Sequence, residues 1–212
     1  MTIIIDKRKM NVGYLSLHMG CMRAEKSVFA CKKATKYADI GESVLFVRSS
    51  LDKGRKTEGG DIETFTSHSS SNKYLSPKVH TVTCESLKEV QVDDYNMIVV
   101  DEGQFFEDLV EVCLEWVDVK NKMVYVVGLD SSYKRTKIGN IIDLIPHADY
   151  YEKFTAKCSM CFTENTERSL KYKKAIFTAR KDRLDQSEGS IIKPGASDYI
   201  SVCRRHYNLL NK

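Results

Sequence analysis

Eight consecutive residues near the N-terminus follow the phosphate-binding loop pattern G-x-x-x-x-G-K-[ST] with one exception. They are Gly20, Cys21, Met22, Arg23, Ala24, Glu25, Lys26 and Ser27. In such a loop the glycines let backbone N–H groups turn around phosphates, while the lysine and the hydroxyl serve the outer phosphates and Mg²⁺. Glu25 replaces the second glycine, and a carboxylate ~5 Å from a polyphosphate is repelled by several kcal/mol at an effective dielectric of about 20. The segment therefore predicts a nucleotide phosphate site that is either weakened or lost.

Two acidic residues, Asp101 and Glu102, follow the apolar run 97–100, which is typical of a buried parallel strand. Ligands of parallel α/β sheets bind at the carboxyl ends of the strands. At this position Asp101 is predicted to help hold Mg²⁺, and Glu102 to take the proton from an attacking hydroxyl. The alternative is that the two carboxylates only end the strand and cap the next helix.

A second constellation lies near the C-terminus, where two short pairs have the spacing of zinc ligands. The pairs are Cys158 with Cys161 and Cys203 with His206. Together they offer one tetrahedral set for Zn²⁺ with no open position, which predicts a structural metal that stabilises a small segment. The alternative is a pair of buried cysteines with a surface histidine.

The elements around these motifs alternate between strand and helix. Strands are predicted at 13–19, 44–47, 79–82, 97–100 and 123–127, and helices at 27–40, 106–119 and 140–145. This order predicts an α/β fold, a P-loop parallel sheet with helices on both faces. A stretch rich in Ser, Gly and Thr at 49–77 predicts a long mobile loop. The pattern changes near residue 155, which predicts two domains: 1–155 for nucleotide binding and 156–212 for zinc binding.

The composition limits the function classes. The chain has 212 residues, 42% of them hydrophobic and 29% charged, and a formal net charge of +4. This charge is small for 33 basic and 29 acidic residues, and no basic run is interleaved with aromatic residues, so nucleic acid is not expected as a partner. No apolar stretch is long enough for a signal sequence or a membrane span. A cytoplasmic protein without a membrane partner is the natural interpretation.

Several motifs together resemble the zinc-containing type II thymidine kinases. They are the P-loop containing Met22, the sequence Asp-Glu-Gly-Gln-Phe-Phe at 101–106, the segment 128–135, the Cys-x-x-Cys pair and the closing segment 195–207. The resemblance covers roughly residues 13–207. It implies transfer of the γ-phosphate of ATP, with Mg²⁺, to the 5′-hydroxyl of thymidine. It also implies a P-loop α/β domain joined to a zinc-binding lasso domain, and a homo-oligomer, commonly a tetramer.

The resemblance also implies a role for individual residues. Glu102 matches the catalytic base. The residues implied for ATP and Mg²⁺ are the eight P-loop positions with Asp52, Arg55, Asp101 and Gln104. Those implied for thymidine are Met22, Phe105, Leu129, Tyr133 and Tyr199, with the lasso residues Ser190, Ile191, Ile192, Lys193 and Pro194. The four Cys and His residues match the structural zinc site.

Departures from the family pattern concentrate at the working positions. Besides Glu25, Arg23 stands where an aromatic residue or Asn is usual, and Ile138 where an aromatic wall is expected. Pro194 has no N–H to offer a substrate and fixes φ near −65°. Arg23 would compensate Glu25 if the two paired. Three hypotheses therefore stay open: a thymidine kinase, a kinase with changed nucleoside specificity, and a catalytically inactive homologue that acts as a binding or assembly subunit.

Overall fold

The computed structural model describes residues 12–51, 74–164, 172–180 and 198–211. Most of the predicted loop at 49–77 lies outside these ranges. Among the described residues, no helix combines the length and the apolar character needed to cross a membrane.

A six-stranded sheet forms the centre of the molecule. Its strands are β1 (Tyr14–Gly20), β2 (Val44–Ser49), β3 (His80–Cys84), β4 (Met97–Asp101), β5 (Met123–Leu129) and β6 (Tyr150–Phe154). They lie in the order β3-β2-β4-β5-β1-β6, and every neighbouring pair is parallel. The predicted α/β fold with a parallel sheet is therefore confirmed.

Helices cover both faces of this sheet. Helix α1 (Lys26–Asp39) follows the P-loop, and α2 (Leu109–Leu114) continues into a π-helical turn over Glu115–Val119. The predicted helix at 106–119 therefore begins three residues later than expected. The predicted helix at 140–145 is a 3₁₀ helix over Ile141–His147.

Strand alternation divides the hydrophobic core into two layers. On β4, Met97 and Val99 belong to the layer under α1, whereas Ile98 and Val100 belong to the layer under α2. Helix α1 meets its layer through small residues, Ala30, Cys31, Ala34 and Ala38. Small side chains let the helix axis approach the sheet closely, so the P-loop that precedes α1 is held against the carboxyl edge of the strands.

The chain after β6 forms a smaller unit with its own elements. They are β7 (Ala156–Lys157), α3 (Ser159–Glu164), β8 (Lys174–Ala175), β9 (Phe177–Arg180), β10 (Tyr199–Val202) and α4 (Arg204–Leu210). Strands β7 and β8 pair antiparallel, as do β9 and β10. A third hydrophobic cluster lies here, and it includes Cys21 and Ala24 of the P-loop. The boundary near residue 155 stays a prediction.

Candidate functional site

The P-loop and the acidic pair meet at the carboxyl edge of the sheet. The Oγ atom of Ser27 donates a hydrogen bond to Oδ1 of Asp101 at 3.0 Å. The same carboxylate oxygen accepts the backbone N–H of Glu102 at 3.1 Å. Both Ser27 and Asp101 are buried. A hydroxyl and a carboxylate therefore lie side by side, and these are the oxygen ligands that Mg²⁺ prefers at a phosphate site.

Lys26 is the first residue of α1, and its side chain turns back onto the P-loop. Its ammonium group donates a hydrogen bond to the carbonyl oxygen of Cys21 at 2.8 Å, and the side chain is buried. Burial lowers the pKa of Lys26, while the nearby Glu102 carboxylate opposes this effect. Weaker contributions from Asp101 and Asp130 act in the same direction as Glu102. The lysine therefore stands among several carboxylates at the sheet edge.

The backbone of the P-loop has the conformation that glycine favours. Glu25 has φ 59° and ψ 24°, and Arg23 has φ 61°, both in the left-handed region. Each such non-glycine residue costs on the order of 1–3 kcal/mol. Glu25 is the N-cap of α1, where its carbonyl accepts the N–H of Phe29 at 2.9 Å, but its side chain makes no capping hydrogen bond. The side chains of Arg23 and Glu25 are both exposed.

Glu102 is oriented by the amide of Gln104. Gln104 donates through Nε2 to a Glu102 carboxylate oxygen at 2.6 Å, and its own oxygen accepts the N–H of Leu129 at 2.9 Å. Gly128 permits this approach, because a Cβ atom there would lie 2.3 Å from the Gln104 oxygen. Gln104 is buried and both ends of its amide are used. It therefore fixes the Glu102 carboxylate relative to the end of β5.

Asp130 is a further acidic residue of this edge that the sequence analysis missed. One of its carboxylate oxygens lies 2.5 Å from the ammonium of Lys153 on β6. The negative charge of Asp130 also acts to raise the pKa of Lys26. The available signal was its place directly after the buried strand β5. Lys153 gave no such signal, because β6 is an exposed edge strand.

The residues predicted for thymidine lie at the junction with the smaller unit. The rings of Tyr133 and Tyr199 have centroids 5.9 Å apart, and the hydroxyl of Tyr207 donates to the Tyr133 carbonyl at 2.7 Å. Tyr199 and Leu129 are buried, whereas Phe105 is half-buried. Seven predicted site residues lie outside the described residues: Asp52, Arg55, Ser190, Ile191, Ile192, Lys193 and Pro194.

Met22, predicted both for ATP and for thymidine, is held by the β9–β10 hairpin. Its N–H donates to Oγ1 of Thr178 at 3.0 Å, and its carbonyl accepts the hydroxyl of Ser201 at 2.6 Å. The sequence analysis missed Thr178 and Ser201. They lie 156 and 179 residues from Met22 along the chain, so no local pattern could have revealed them.

The four predicted zinc ligands form one cluster. The ligand atoms of Cys158, Cys161, Cys203 and His206 all lie within 4.8 Å of one another. Nδ1 of His206 lies 3.3, 3.4 and 3.5 Å from the three sulfur atoms, in the order of the chain. His206 is buried, which disagrees with the alternative of a surface histidine. Three thiols and one imidazole are a donor set typical of structural zinc, so the residues fit this metal.

A carboxylate lies beside the cluster and contacts its histidine. Oε2 of Glu164 lies 2.9 Å from Nε2 of His206, the ring nitrogen that faces away from the sulfur atoms. Such a carboxylate fixes the tautomer and the orientation of a histidine ligand. Glu164 was also missed, although its position three residues after Cys161 offered a weak signal.

Sequence comparison finds relatives of this chain that match it over most of its length. A sequence profile described as thymidine kinase matches residues 13–207. Thymidine kinase a of Arabidopsis thaliana is 30% identical over 217 residues, covering 95% of this chain and 78% of that protein. The thymidine kinase of Yaba monkey tumor virus (strain VR587) is 32% identical over 201 residues, covering 94% of this chain and 97% of that protein.

A second plant relative has a higher sequence identity over a shorter stretch. The thymidine kinase of Oryza sativa subsp. japonica is 41% identical over 115 residues, covering 54% of this chain and 38% of that protein. The family profile itself spans the P-loop, the acidic pair and the four residues of the Cys and His cluster. The chain therefore belongs to the thymidine kinase family.

Proposed function

We propose that this chain is an active thymidine kinase that transfers the γ-phosphate of ATP to the 5′-hydroxyl of thymidine. The observation that carries the proposal is the contact between Ser27 and Asp101, made at the sheet edge where Lys26 and Glu102 also lie. Family membership supports thymidine as the acceptor. In the reaction a bond forms between the 5′-oxygen and the γ-phosphorus, the bond to the β-phosphate oxygen breaks, and ADP leaves.

Each residue of the edge has a distinct part in this reaction. Glu102 accepts the proton of the 5′-hydroxyl, and Gln104 keeps its carboxylate oriented for that transfer. Lys26 offsets negative charge on the phosphates, because an ammonium group in a buried site interacts strongly with an anion. Ser27 and Asp101 would hold Mg²⁺, which when bound neutralises charge on the β- and γ-phosphates.

The Cys and His cluster would hold a structural zinc. All four ligand positions come from the protein, so no position is left for a substrate. The zinc would join α3 to the β10–α4 connection and stabilise the smaller unit. The lasso residues 190–194 are proposed to read the nucleoside, with Tyr133 and Tyr199 beside it. Tetramer formation and a cytoplasmic location stay predictions.

The test is ATP-dependent formation of thymidine monophosphate by the purified, zinc-loaded protein, compared with Glu102→Gln. Removal of a general base typically costs 10²–10⁴-fold in rate, so we expect kcat to fall in this range while Mg-ATP binding persists. Glu107→Gln is the matched control, because Glu107 is exposed and follows the same motif. Absence of turnover in the unaltered protein would overturn the proposal and favour the inactive homologue.

A further inference from the structure

Two hydroxyl groups of the smaller unit hold one residue of the P-loop. Thr178 accepts the N–H of Met22, and Ser201 donates to the carbonyl of Met22. Thr178 is 3% exposed and Ser201 is fully buried. A third contact lies beside them, from the Cys21 thiol to the carbonyl oxygen of Ala175 at 3.5 Å. Both peptide groups of Met22 are therefore fixed from outside the P-loop.

The pairing of the hairpin explains how two side chains reach one residue. Ser201 on β10 and Thr178 on β9 are direct partners in the antiparallel ladder. Directly opposite residues project from the same face of a two-stranded sheet, with Cβ atoms about 4.5–5.5 Å apart. This spacing suits the N–H and the carbonyl of a single residue.

The held residue directly precedes the strained part of the loop. Arg23 follows Met22, and both Arg23 and Glu25 have positive φ without being glycine. A non-glycine residue keeps a left-handed backbone only where its surroundings hold it there, because the free energy of the chain falls when the residue relaxes to a more common φ and ψ. A P-loop with glycine at position 25 would need less external support than this one.

The same hairpin is connected to the Cys and His cluster. Ser201 precedes Cys203 by two residues, and the N–H of Cys203 donates to the sulfur of Cys158 at 3.2 Å. Cys21 and Ala24 of the P-loop share one hydrophobic cluster with Cys158 and Cys161. The position of the hairpin therefore depends on the residues that would bind zinc.

We propose that Thr178 and Ser201 are positioning residues that hold the P-loop in its phosphate-binding conformation and make that conformation depend on the zinc cluster. The part concerning phosphate rests on the proposed function, whereas the part concerning the loop does not. Neither hydroxyl is needed to touch ATP, because each acts through the backbone of Met22.

The test combines Thr178→Val and Ser201→Ala, singly and together, with two independent measurements. The first is amide hydrogen exchange of Met22 in protein labelled with ¹⁵N-methionine. The chain has seven methionines, so the spectrum is simple, and Met22→Leu assigns the signal. The second is the dissociation constant of Mg-ATP by calorimetry. Zinc content and Trp116 emission establish that each variant is folded.

We expect Thr178→Val to raise the exchange rate of Met22 about tenfold or more, because its N–H loses its acceptor. Each substitution should weaken Mg-ATP binding by roughly 3- to 10-fold, as expected for one lost hydrogen bond. Thr178→Ser should restore both values. Thr163→Val is the control in the same unit, since the Thr163 hydroxyl contacts only carbonyl groups of its own helix, those of Ser159 and Met160, among the bonds that the structure describes for it.

Removal of zinc from the unaltered protein should weaken Mg-ATP binding as much as the double variant does, and should add less than about twofold to that variant. Unchanged exchange of Met22 in a zinc-loaded, folded Thr178→Val variant would overturn the holding contact. Unchanged Mg-ATP affinity in the double variant would overturn its link to phosphate. If the unaltered protein binds no Mg-ATP, the proposed function fails, while the exchange measurement still decides the contact.

Discussion

At the scale of single residues, Glu25 introduces two separate costs that act at different stages. Its positive φ destabilises the folded chain whether or not a nucleotide is bound. In the proposed kinase its carboxylate would oppose only the nucleotide-bound state, because repulsion needs the phosphates to be present. The side chain is exposed, so solvent weakens this repulsion well below the several kcal/mol expected at an effective dielectric of about 20, and salt weakens it further. Substitutions can separate the two costs.

We therefore predict different results for Glu25→Gln and Glu25→Gly. Both remove the charge, so both should tighten Mg-ATP binding, by about tenfold in low salt and less in high salt. Only glycine relieves the backbone cost, and a gain of about 1 kcal/mol raises the melting temperature of a chain of this size by roughly 2–4 °C. Calorimetric titration and thermal unfolding check the two effects. Tighter binding with glycine alone would contradict the repulsion and would show that the backbone conformation, not the charge, limits Mg-ATP binding.

The motifs of the site were predictable because their residues are close in sequence. Lys26 with Ser27, Asp101 with Glu102, and the two ligand pairs each need only a local pattern. The contacts that hold them were not predictable from spacing. Glu164 reaches His206 across 42 residues, and Ser201 reaches Met22 across 179. Such contacts follow from the topology of the whole chain.

At the scale of elements, a strand was easier to predict from the sequence where most of its side chains are buried. Strands β2 and β4 are buried along their whole length and gave clear apolar runs. Strand β6 lies at the edge of the sheet, and four of its five side chains are exposed, so its sequence has no hydrophobic pattern. The 3₁₀ turn Gly103–Phe105, which contains Gln104, lies between β4 and α2, so the helix begins later than the sequence pattern predicts.

Strand β1 carries a buried histidine that couples the stability of the sheet to pH. His18 is 3% exposed, lies among the rings of Phe29, Tyr125, Tyr150 and Phe154, and contacts the hydroxyl of Ser16 at 2.9 Å. Burial, with a smaller contribution from Lys33, lowers its pKa from 6.5 to about 4. The folded protein therefore keeps His18 neutral at pH values where the unfolded chain binds a proton.

We predict that this difference reduces stability as the pH falls from 6.5 toward 4. The unfolded state binds more protons in that window, so the free energy of unfolding decreases by up to about 3 kcal/mol from this residue. Urea unfolding of His18→Gln at several pH values should therefore show a shallower decrease than the unaltered protein. His80→Gln is the control, because His80 is exposed on β3. Equal slopes for all three proteins would contradict the prediction.

At the scale of the whole molecule, two of the three hydrophobic clusters pack against the central sheet, and the third is shared between the smaller unit and the P-loop. The two layers around the sheet contain no described residue beyond Ala148. The third cluster joins the smaller unit to Cys21 and Ala24 of the P-loop. Loss of the smaller unit should therefore leave the sheet largely intact while it disturbs the loop that precedes α1.

Removal of zinc with a chelator tests this division, because the chain has a single tryptophan. Trp116 is 2% exposed in the layer under α2, so its emission reports on the sheet alone. We expect chelation to leave the Trp116 emission maximum unchanged, while limited proteolysis within the described parts 156–164, 172–180 and 198–211 becomes at least tenfold faster, because the metal supplies much of the folding free energy of such small units. Cys161→Ser should reproduce this result.

Cys31→Ala is the control, because it removes a buried thiol under α1, and this variant should retain zinc and resist cleavage. A red shift of Trp116 on chelation would instead mean that the sheet and the smaller unit unfold as one cooperative structure, and the boundary near residue 155 would then have no thermodynamic meaning.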